Sequence, residues 1–232
     1  MPIPFQHLLT TPLLQSLPQE LLLRLSTQMV LRQFARREVV CSKDQTRFEL
    51  GFLLQGRLQG VDFTVDGRGV GLYFVDAGDY FGELPIIDGI QPAEHVIAAV
   101  KSTAVFLGAA PARLLIVEHP DIAQSVMARL AARVRNMSAQ RTLLALPNPF
   151  QRLCLQLLLL ARTDIPNAPC LDPAPTHQEL AMMINSSRET VTRAFQVLML
   201  QEAIRRDGAR LLLLRRTYLD DIGAGRIEPP RS

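Results

Sequence analysis

The chain has 232 residues, of which 48% are hydrophobic and 20% are charged, and its formal net charge at pH 7 is +3. This length is enough for one or two domains with sizeable cores. No run of about eighteen apolar residues occurs, which excludes a helical membrane span, and the N-terminus lacks the charged and apolar segments of a signal peptide. We therefore expect a cytoplasmic protein. The net charge is too small to identify a nucleic-acid partner by itself.

The cysteines exclude two further classes of protein. Cys41, Cys154 and Cys170 are widely separated and show no CxxC spacing. Neither a disulfide framework nor a zinc site is therefore indicated. We expect three buried free thiols.

The first part of the chain changes from a helical to a β pattern. Residues 12–29 predict a short helix, whereas residues 30–107 consist of short apolar runs separated by turn residues. Asp66 and Gly67 form a dipeptide that is typical of a hairpin turn. Many short strands at such spacing predict a sandwich or a jelly roll.

A long helix is predicted next, beginning at Pro120 and ending before Pro147. Its apolar residues recur at spacings of three or four, and such a stripe more often faces the core of its own domain than another subunit. Residues 146–149 contain Pro147 and a second proline, Pro149, which together break helix geometry, so this segment is predicted to be a hinge. Residues 150–162 predict an apolar helix after it. The stripe consists of Ile122, Val126, Leu130, Val134, Met137, Arg141 and Leu144.

Residues 176–200 have the form of two short helices joined by a polar turn. Leu180, Met183 and Ile184 recur at the spacing of a buried helix face, and Thr176 is a good N-cap for that first helix. The turn contains one asparagine and two serines, whose short polar side chains can bond their own backbone. The pattern predicts a helix-turn-helix, followed by a β-hairpin wing at residues 203–215.

The second helix of this motif divides into an apolar and a charged side. Ser187 is placed to cap it, with Thr190 three residues later. A recognition helix needs this division, because one side packs on the domain while its N-terminal residues enter the major groove. The alternative is an amphipathic surface helix with solvated charges. Val191, Phe195 and Leu198 lie on the apolar side, and the polar residues largely on the other side or near the N-terminal end are Arg188, Glu189, Thr192 and Arg193.

The start of this helix closely resembles the recognition helix of the CRP/FNR family of bacterial transcription regulators. Members of that family carry Arg-Glu-Thr-Val followed two residues later by Arg, which here are residues 188–191 and Arg193. The resemblance covers nearly the whole chain and implies an α+β protein. It implies a double-stranded β-helix (jelly-roll) sensor domain at residues 1–118, a dimerisation helix and hinge at residues 119–147, and a winged helix-turn-helix domain at residues 148–232.

The resemblance also implies partners and contact residues. The expected partners are double-stranded DNA with TGTGA-like half-sites, a second copy of the chain, and RNA polymerase, which in relatives can touch the region of residues 163–175. Arg188 and Arg193 would read guanines, and Glu189 a cytosine. Phosphate contacts are expected from Thr176, His177, Gln178, Ser187 and Thr190. The homodimer would form through Ile122, Val126, Leu130, Val134, Met137 and Leu144.

The segment around residues 82–95 corresponds to the phosphate-binding cassette of the cyclic-nucleotide sensors in this family. Those relatives open it with Gly-Glu-Leu and close it with an Arg-Ser pair that binds the cyclic phosphate. Here Gly82, Glu83 and Leu84 preserve the opening, but the spacing places Pro92 and Ala93 where the Arg-Ser pair would stand. A shift of register by one gives Ala93 and Glu94 instead, and neither alignment supplies a cation. The implied effector pocket consists of Gly82, Glu83, Leu84, Pro92, Ala93 and Ser138.

The cofactor is therefore unknown. We do not expect cyclic AMP to bind in the usual mode, because a buried phosphate needs a positive partner or a set of N–H donors. His95 and Arg68 are the nearest basic alternatives. Iron–sulfur sensing, which some relatives perform with N-terminal cysteines, is not expected, because no cysteine precedes Cys41.

Two other functions stay open. The barrel could be purely structural in an effector-independent DNA-binding or architectural protein, to which the altered cassette lends weight. A cupin-like enzyme would need clustered metal ligands. The four histidines, His7, His95, His119 and His177, are scattered without an HxH pair. We expect no enzymatic activity.

Overall fold

The computed structural model describes residues 5–161 and 169–229 and divides the chain into two compact units, Met1–Ala131 and Ala132–Ser232. The N-terminal unit starts with two short 3-10 helices, Phe5–Thr10 and Pro12–Leu14. Its further elements are α1 (Gln19–Gln28), β1 (Val30–Phe34), β2 (Val39–Cys41), β3 (Glu49–Gln55), β4 (Arg57–Phe63), β5 (Gly69–Asp76), β6 (Tyr80–Phe81), α2 (Glu83–Asp88), β7 (His95–Ala98), β8 (Ser102–Gly108) and α3 (Ala109–Glu118).

Two four-stranded antiparallel sheets form the body of this unit. Their strand orders are β1-β8-β3-β6 and β2-β7-β4-β5. The predicted hairpin joins β4 to β5, and Gly67 takes a φ of 78°, which a residue without Cβ adopts without strain. The predicted jelly-roll architecture is thereby confirmed.

Aromatic residues fill the core that the two sheets share. Phe81 and Phe106 contact each other edge to face, with ring centroids 5.6 Å apart. A second core cluster lies under α1, α3 and the 3-10 helices and contains Leu14, Leu22 and Phe52. These close-packed side chains stabilise the two sheets of the unit that contains the cassette at residues 82–95.

The long helix α4 (Pro120–Leu144) corrects part of the predicted dimer stripe. Ile122 and Val126 are only 1% and 3% exposed, because they pack into the core of the N-terminal unit, and Leu130 packs against the same cluster. A side chain buried in its own unit is not available to a second copy. Val134 and Met137, by contrast, are 67% and 68% exposed.

The C-terminal unit holds the helix-turn-helix. Its elements after the end of α4 are α5 (Pro149–Leu160), β9 (Cys170–Leu171), α6 (His177–Met183), α7 (Arg188–Leu200), β10 (Ile204–Asp207), β11 (Arg210–Leu213) and α8 (Arg216–Gly223). The predicted wing is confirmed, since β10 and β11 form an antiparallel hairpin that β9 extends to three strands. One core unites residues of α5, α7, α8 and the wing, including Leu157, Phe195, Leu213 and Leu219.

The three cysteines are free and buried, as expected. Burial raises the pKa of the Cys41 thiol, and likewise that of Cys154, to about 12. Cys170 is also buried, on β9. Within the described part of the chain, no helix has the length and apolar character needed to cross a bilayer.

Candidate nucleic-acid interface

A capping box starts α6. The Thr176 side chain accepts a hydrogen bond from the Glu179 backbone N–H at 3.2 Å, and the Thr176 N–H donates to Glu179 Oε2 at 2.7 Å. The predicted N-cap is confirmed. Glu179 was missed, although Thr-x-x-Glu before an apolar run is a readable signal for this arrangement.

The turn between the two helices is held by backbone geometry. Asn185 adopts a φ of 48°, a left-handed conformation that asparagine tolerates better than most residues. The Ser186 N–H then donates to the Ala181 carbonyl at 2.9 Å. The turn therefore closes within three residues and sets the direction in which α7 leaves.

Ser187 caps α7, as the sequence predicted. Its Oγ accepts from the Thr190 N–H at 3.1 Å and lies 3.0 Å from Thr190 Oγ1. This bond satisfies one of the free N–H groups at the helix start. The cap holds the first turn of α7, which carries the charged residues.

The two sides of α7 separate as predicted. Val191, Phe195 and Leu198 are at most 1% exposed and belong to the core of the C-terminal unit. Arg188 and Glu189 lie exposed in the first turn. Arg193, also exposed, lies one turn further along, so three charged side chains face solvent near the N-terminal end. Such a face can present donors and an acceptor to base edges.

Glu189 is held in its ionised form. A hydrogen bond from its own backbone N–H is the largest cause of its lowered pKa, and the Ser187 hydroxyl and the nearby Arg188 and Arg193 charges act in the same direction. An ionised carboxylate only accepts hydrogen bonds. It therefore suits a base-edge donor such as cytosine N4.

His177 joins α6 to α7, a contact between residues fifteen positions apart that the sequence did not predict. Its Nδ1 lies 2.8 Å from Thr192 Oγ1, and its ring centroid lies 4.4 Å from that of Phe195. Burial, followed by the Arg206 and Arg188 charges, lowers the pKa of His177. The Thr192 hydroxyl also donates to the Arg188 carbonyl at 2.9 Å, which leaves the His177 Nδ1–H as the donor between the two side chains.

The five residues predicted to contact phosphate lie at the starts of α6 and α7. Thr176, Gln178 and Ser187 are exposed, whereas His177 and Thr190 are half-buried. In the described hydrogen bonds, the hydroxyl oxygens of the two caps, Thr176 and Ser187, accept from backbone N–H groups. Their phosphate contacts stay a prediction.

The wing adds positive charge beside this surface. Arg205 and Arg206 on β10 are exposed, and Arg206 is close enough to influence His177. Arg210 on β11 instead donates to Asp172 Oδ2 at 2.7 Å. The wing thus presents two arginines outside described ion pairs and one that is already engaged.

The cassette in the N-terminal unit keeps its opening. Gly82 has a φ of 80°, and a Cβ there would lie 2.6 Å from the Glu49 carbonyl, so the position requires glycine. The carboxylate-bearing Glu83 starts α2 and is 1% exposed, and Leu84 is half-buried. The backbone therefore makes the turn that the cassette needs.

The closing end of the cassette presents a carboxylate. Pro92 is half-buried and Ala93 is exposed, just before β7. The next residue, Glu94, is 8% exposed, and its Oε1 accepts from the Tyr73 hydroxyl at 2.6 Å. An ionised carboxylate repels a phosphate, so this side chain by itself offers a phosphate no favourable contact.

Both basic alternatives have described interactions within the N-terminal unit. His95 accepts the Lys43 backbone N–H at its Nδ1, at 3.2 Å. Arg68 lies exposed at the β4–β5 hairpin and pairs with Asp66. The sixth predicted pocket residue, Ser138, lies exposed on α4, in the part of that helix assigned to the C-terminal unit.

Two further predictions concern metals and RNA polymerase. Across residues 5–161 and 169–229, no group of three or more His, Cys, Asp or Glu side chains could hold a metal ion. Of the loop predicted to contact RNA polymerase, residues 163–168 lie outside the described residues.

Two family models match the chain. The model of the Crp-like helix-turn-helix domain matches residues 151–222, and that of the cyclic nucleotide-binding domain matches residues 31–119. The chain is similar to the cAMP-activated global transcriptional regulator CRP of Pasteurella multocida, with 30% identity over 167 residues that cover 71% of this chain and 80% of that protein. It is also similar to the transcriptional regulator LdrP of Thermus thermophilus, with 29% identity and coverages of 84% and 94%.

The fold is similar to that of solved structures. FixK2 from Bradyrhizobium japonicum superposes with a TM-score of 0.71 at 17% identity, covering 83% of this chain and 96% of that one. A CooA mutant from Carboxydothermus hydrogenoformans gives a TM-score of 0.73 at 14% identity, with coverages of 96% and 97%. At these identities the likeness concerns the fold.

Proposed function

Because the chain belongs to the CRP/FNR family of transcription regulators and carries a DNA-binding helix-turn-helix, we propose that it is a cytoplasmic homodimer that binds a pseudo-palindromic, TGTGA-like operator. The observation that supports this most directly is the Ser187-capped α7, with Arg188, Glu189 and Arg193 exposed on one side. Two-fold symmetry of the protein is matched by two-fold symmetry of its site.

The three charged side chains have complementary roles in this proposal. Arg188 and Arg193 each donate two hydrogen bonds to guanine O6 and N7, and Glu189 accepts from cytosine N4. Contacts from the caps and from Gln178 to phosphate set the register without reading sequence. The lowered pKa of Glu189 keeps it an acceptor over the neutral range.

The dimer seam follows the exposed part of α4. Met127 and Val134 lie seven residues apart, as do Met137 and Leu144, and all four are exposed. This is the spacing of a heptad, in which apolar side chains of two helices interlock. The seam therefore includes Val134, Met137 and Leu144 of the predicted stripe, together with Met127. It leaves out Ile122, Val126 and Leu130, which pack in the core of the N-terminal unit.

The sensor domain does not bind cyclic AMP in the usual mode. Neither alignment of the cassette supplies a cation at its closing end, where Pro92, Ala93 and the buried Glu94 carboxylate lie. The same observation favours the second candidate, an effector-independent regulator whose barrel is structural. RNA polymerase remains a proposed partner of either form.

Selection from a randomised duplex pool at stated salt tests the DNA-binding proposal. The ligand-free protein should enrich two-fold related half-sites and bind them as two protomers. The Arg188→Ala/Arg193→Ala double variant is the control and should lose the enrichment. Salt-sensitive binding with no sequence preference, both without ligand and with cyclic AMP, would contradict the proposal.

Thermal unfolding with saturating cyclic AMP tests the sensor proposal. A ligand that binds the native state raises the melting temperature. We expect no shift for this chain, while the cAMP-activated regulator of Pasteurella multocida serves as the positive control. A comparable rise in both proteins would contradict the proposed loss of the phosphate site.

A further inference from the structure

Two side chains tie the turn of the helix-turn-helix to the residues that precede the domain. Gln140, on α4, donates from Nε2 to the Met183 carbonyl at 2.6 Å. Arg152, on α5, donates from Nη2 to the Asn185 carbonyl at 3.1 Å and from Nη1 to the Leu146 carbonyl at 2.8 Å. The turn is thus linked both to α4 and to the hinge.

The acceptors are backbone groups that the helices themselves leave free. The Met183 carbonyl is at the C-terminal end of α6, where the last carbonyls have no partner within the helix. The Asn185 carbonyl belongs to the left-handed residue of the turn. Donors placed on both carbonyls resist rotation of the turn, and the planar guanidinium of Arg152 holds its two bonds in a fixed geometry.

Gln140 also lies on the helix segment that carries the dimer seam. Met137 and Leu144, three residues before and four after it, are exposed. Leu143 of the same segment is 1% exposed and belongs to the core of the C-terminal unit. The C-terminal part of α4 therefore carries exposed seam residues, a side chain buried in the core of the C-terminal unit, and the donor that binds the turn before α7.

We propose that Gln140 and Arg152 are positioning residues that set the separation between the two recognition helices, and hence the operator spacing that the dimer accepts. This inference rests on the proposed function. An added base pair between half-sites moves one of them by about 3.4 Å and rotates it by about 34°. A firmly held turn cannot follow that change, whereas a loosened turn can.

The test measures dissociation constants on duplexes with the optimal spacing and with one base pair more or fewer, and on an isolated half-site. Gln140→Met removes the donor at similar volume, and Gln140→Lys restores one. Gln124→Met is the matched control, because Gln124 is an exposed glutamine of the same helix. Arg152→Met gives a second, independent change.

Wild type and Gln124→Met should bind the altered spacings at least tenfold more weakly than the optimal one. Gln140→Met and Arg152→Met should reduce that ratio at least threefold and leave half-site affinity within twofold, and Gln140→Lys should recover it. An unchanged ratio in both variants, or an equal loss on every duplex, would overturn this proposal alone. Failure of wild type to prefer any two-fold site would instead overturn the proposed function.

Discussion

The helix-turn-helix and the cassette at residues 82–95 both match a family pattern, but they differ in how many of the side chains expected from that pattern are present. In the first, the caps, the left-handed turn, the buried face and the three exposed charges occur together. In the second, Gly82 still makes the required turn, whereas Glu94 presents a carboxylate at the closing end. The same backbone frame can carry different side chains at its ligand-binding end, so function has to be argued from the site and not from the fold.

The largest expected effect is a loss of stability that is confined to the N-terminal unit. Ile122→Ala should destabilise the N-terminal unit by about 2–5 kcal/mol, because it removes a buried side chain and leaves a cavity. Calorimetry should show one transition lowered and the transition of the C-terminal unit unchanged. Gln124→Ala, at an exposed position of the same helix outside the proposed seam, is the control. Equal loss in both transitions would show that the cores unfold together.

Arg188→Ala tests whether the exposed charges of α7 read base edges. It should weaken operator binding by about 1–3 kcal/mol and relax the preference at one base position, since a bidentate guanine contact is lost. Selection followed by titration on single-base variants measures both effects. Arg24→Ala removes the same charge from an exposed position on α1 and should change neither. An unchanged preference in Arg188→Ala would count against the assignment.

The cap of α7 should contribute less. Ser187→Ala removes the acceptor for the Thr190 N–H and should cost about 1 kcal/mol of stability in the C-terminal unit. Chemical denaturation measures this. Ser187→Asp restores an acceptor and should recover the loss, whereas a loss that Ser187→Asp does not reverse would argue for packing instead.

The smallest effect is a dependence on pH through His177. Its pKa in the folded protein lies below the ordinary value of 6.5, chiefly because of burial. Stability is therefore complete above pH 6.5 and falls as the pH drops from there through the lower folded pKa, since the unfolded chain takes up the proton first. Melting temperatures at pH 7.5 and 5.5 should differ less in His177→Gln than in wild type. Gln178→Ala should retain the wild-type difference.

Much of the DNA-binding unit was predictable because its signals are local. A cap, a turn residue and an apolar periodicity act within a few positions, so Thr176, Ser187 and the buried face of α7 were correctly predicted. The contact of His177 with Thr192 depends instead on how two helices pack. Residue spacing alone does not contain that information.

The misses elsewhere have related causes. The stripe of α4 was visible, but periodicity does not say what an apolar face meets, and Ile122 meets its own unit's core. The helix α3 was missed although Pro111 lies in its first turn, where proline is tolerated. The burial of Glu94 could not be predicted, because a glutamate is ordinarily exposed.

The three buried thiols become reactive only when the unit around them opens, so they can report on local unfolding. Only the thiolate reacts with alkylating reagents, and burial blocks access to all three sulfurs and raises the pKa of Cys41 and Cys154. The native protein should therefore react very slowly with such reagents. Cys41 lies in the N-terminal unit, and Cys154 and Cys170 lie in the C-terminal one. The rates at which these sulfurs are modified would therefore measure the opening of each unit separately, without an added label.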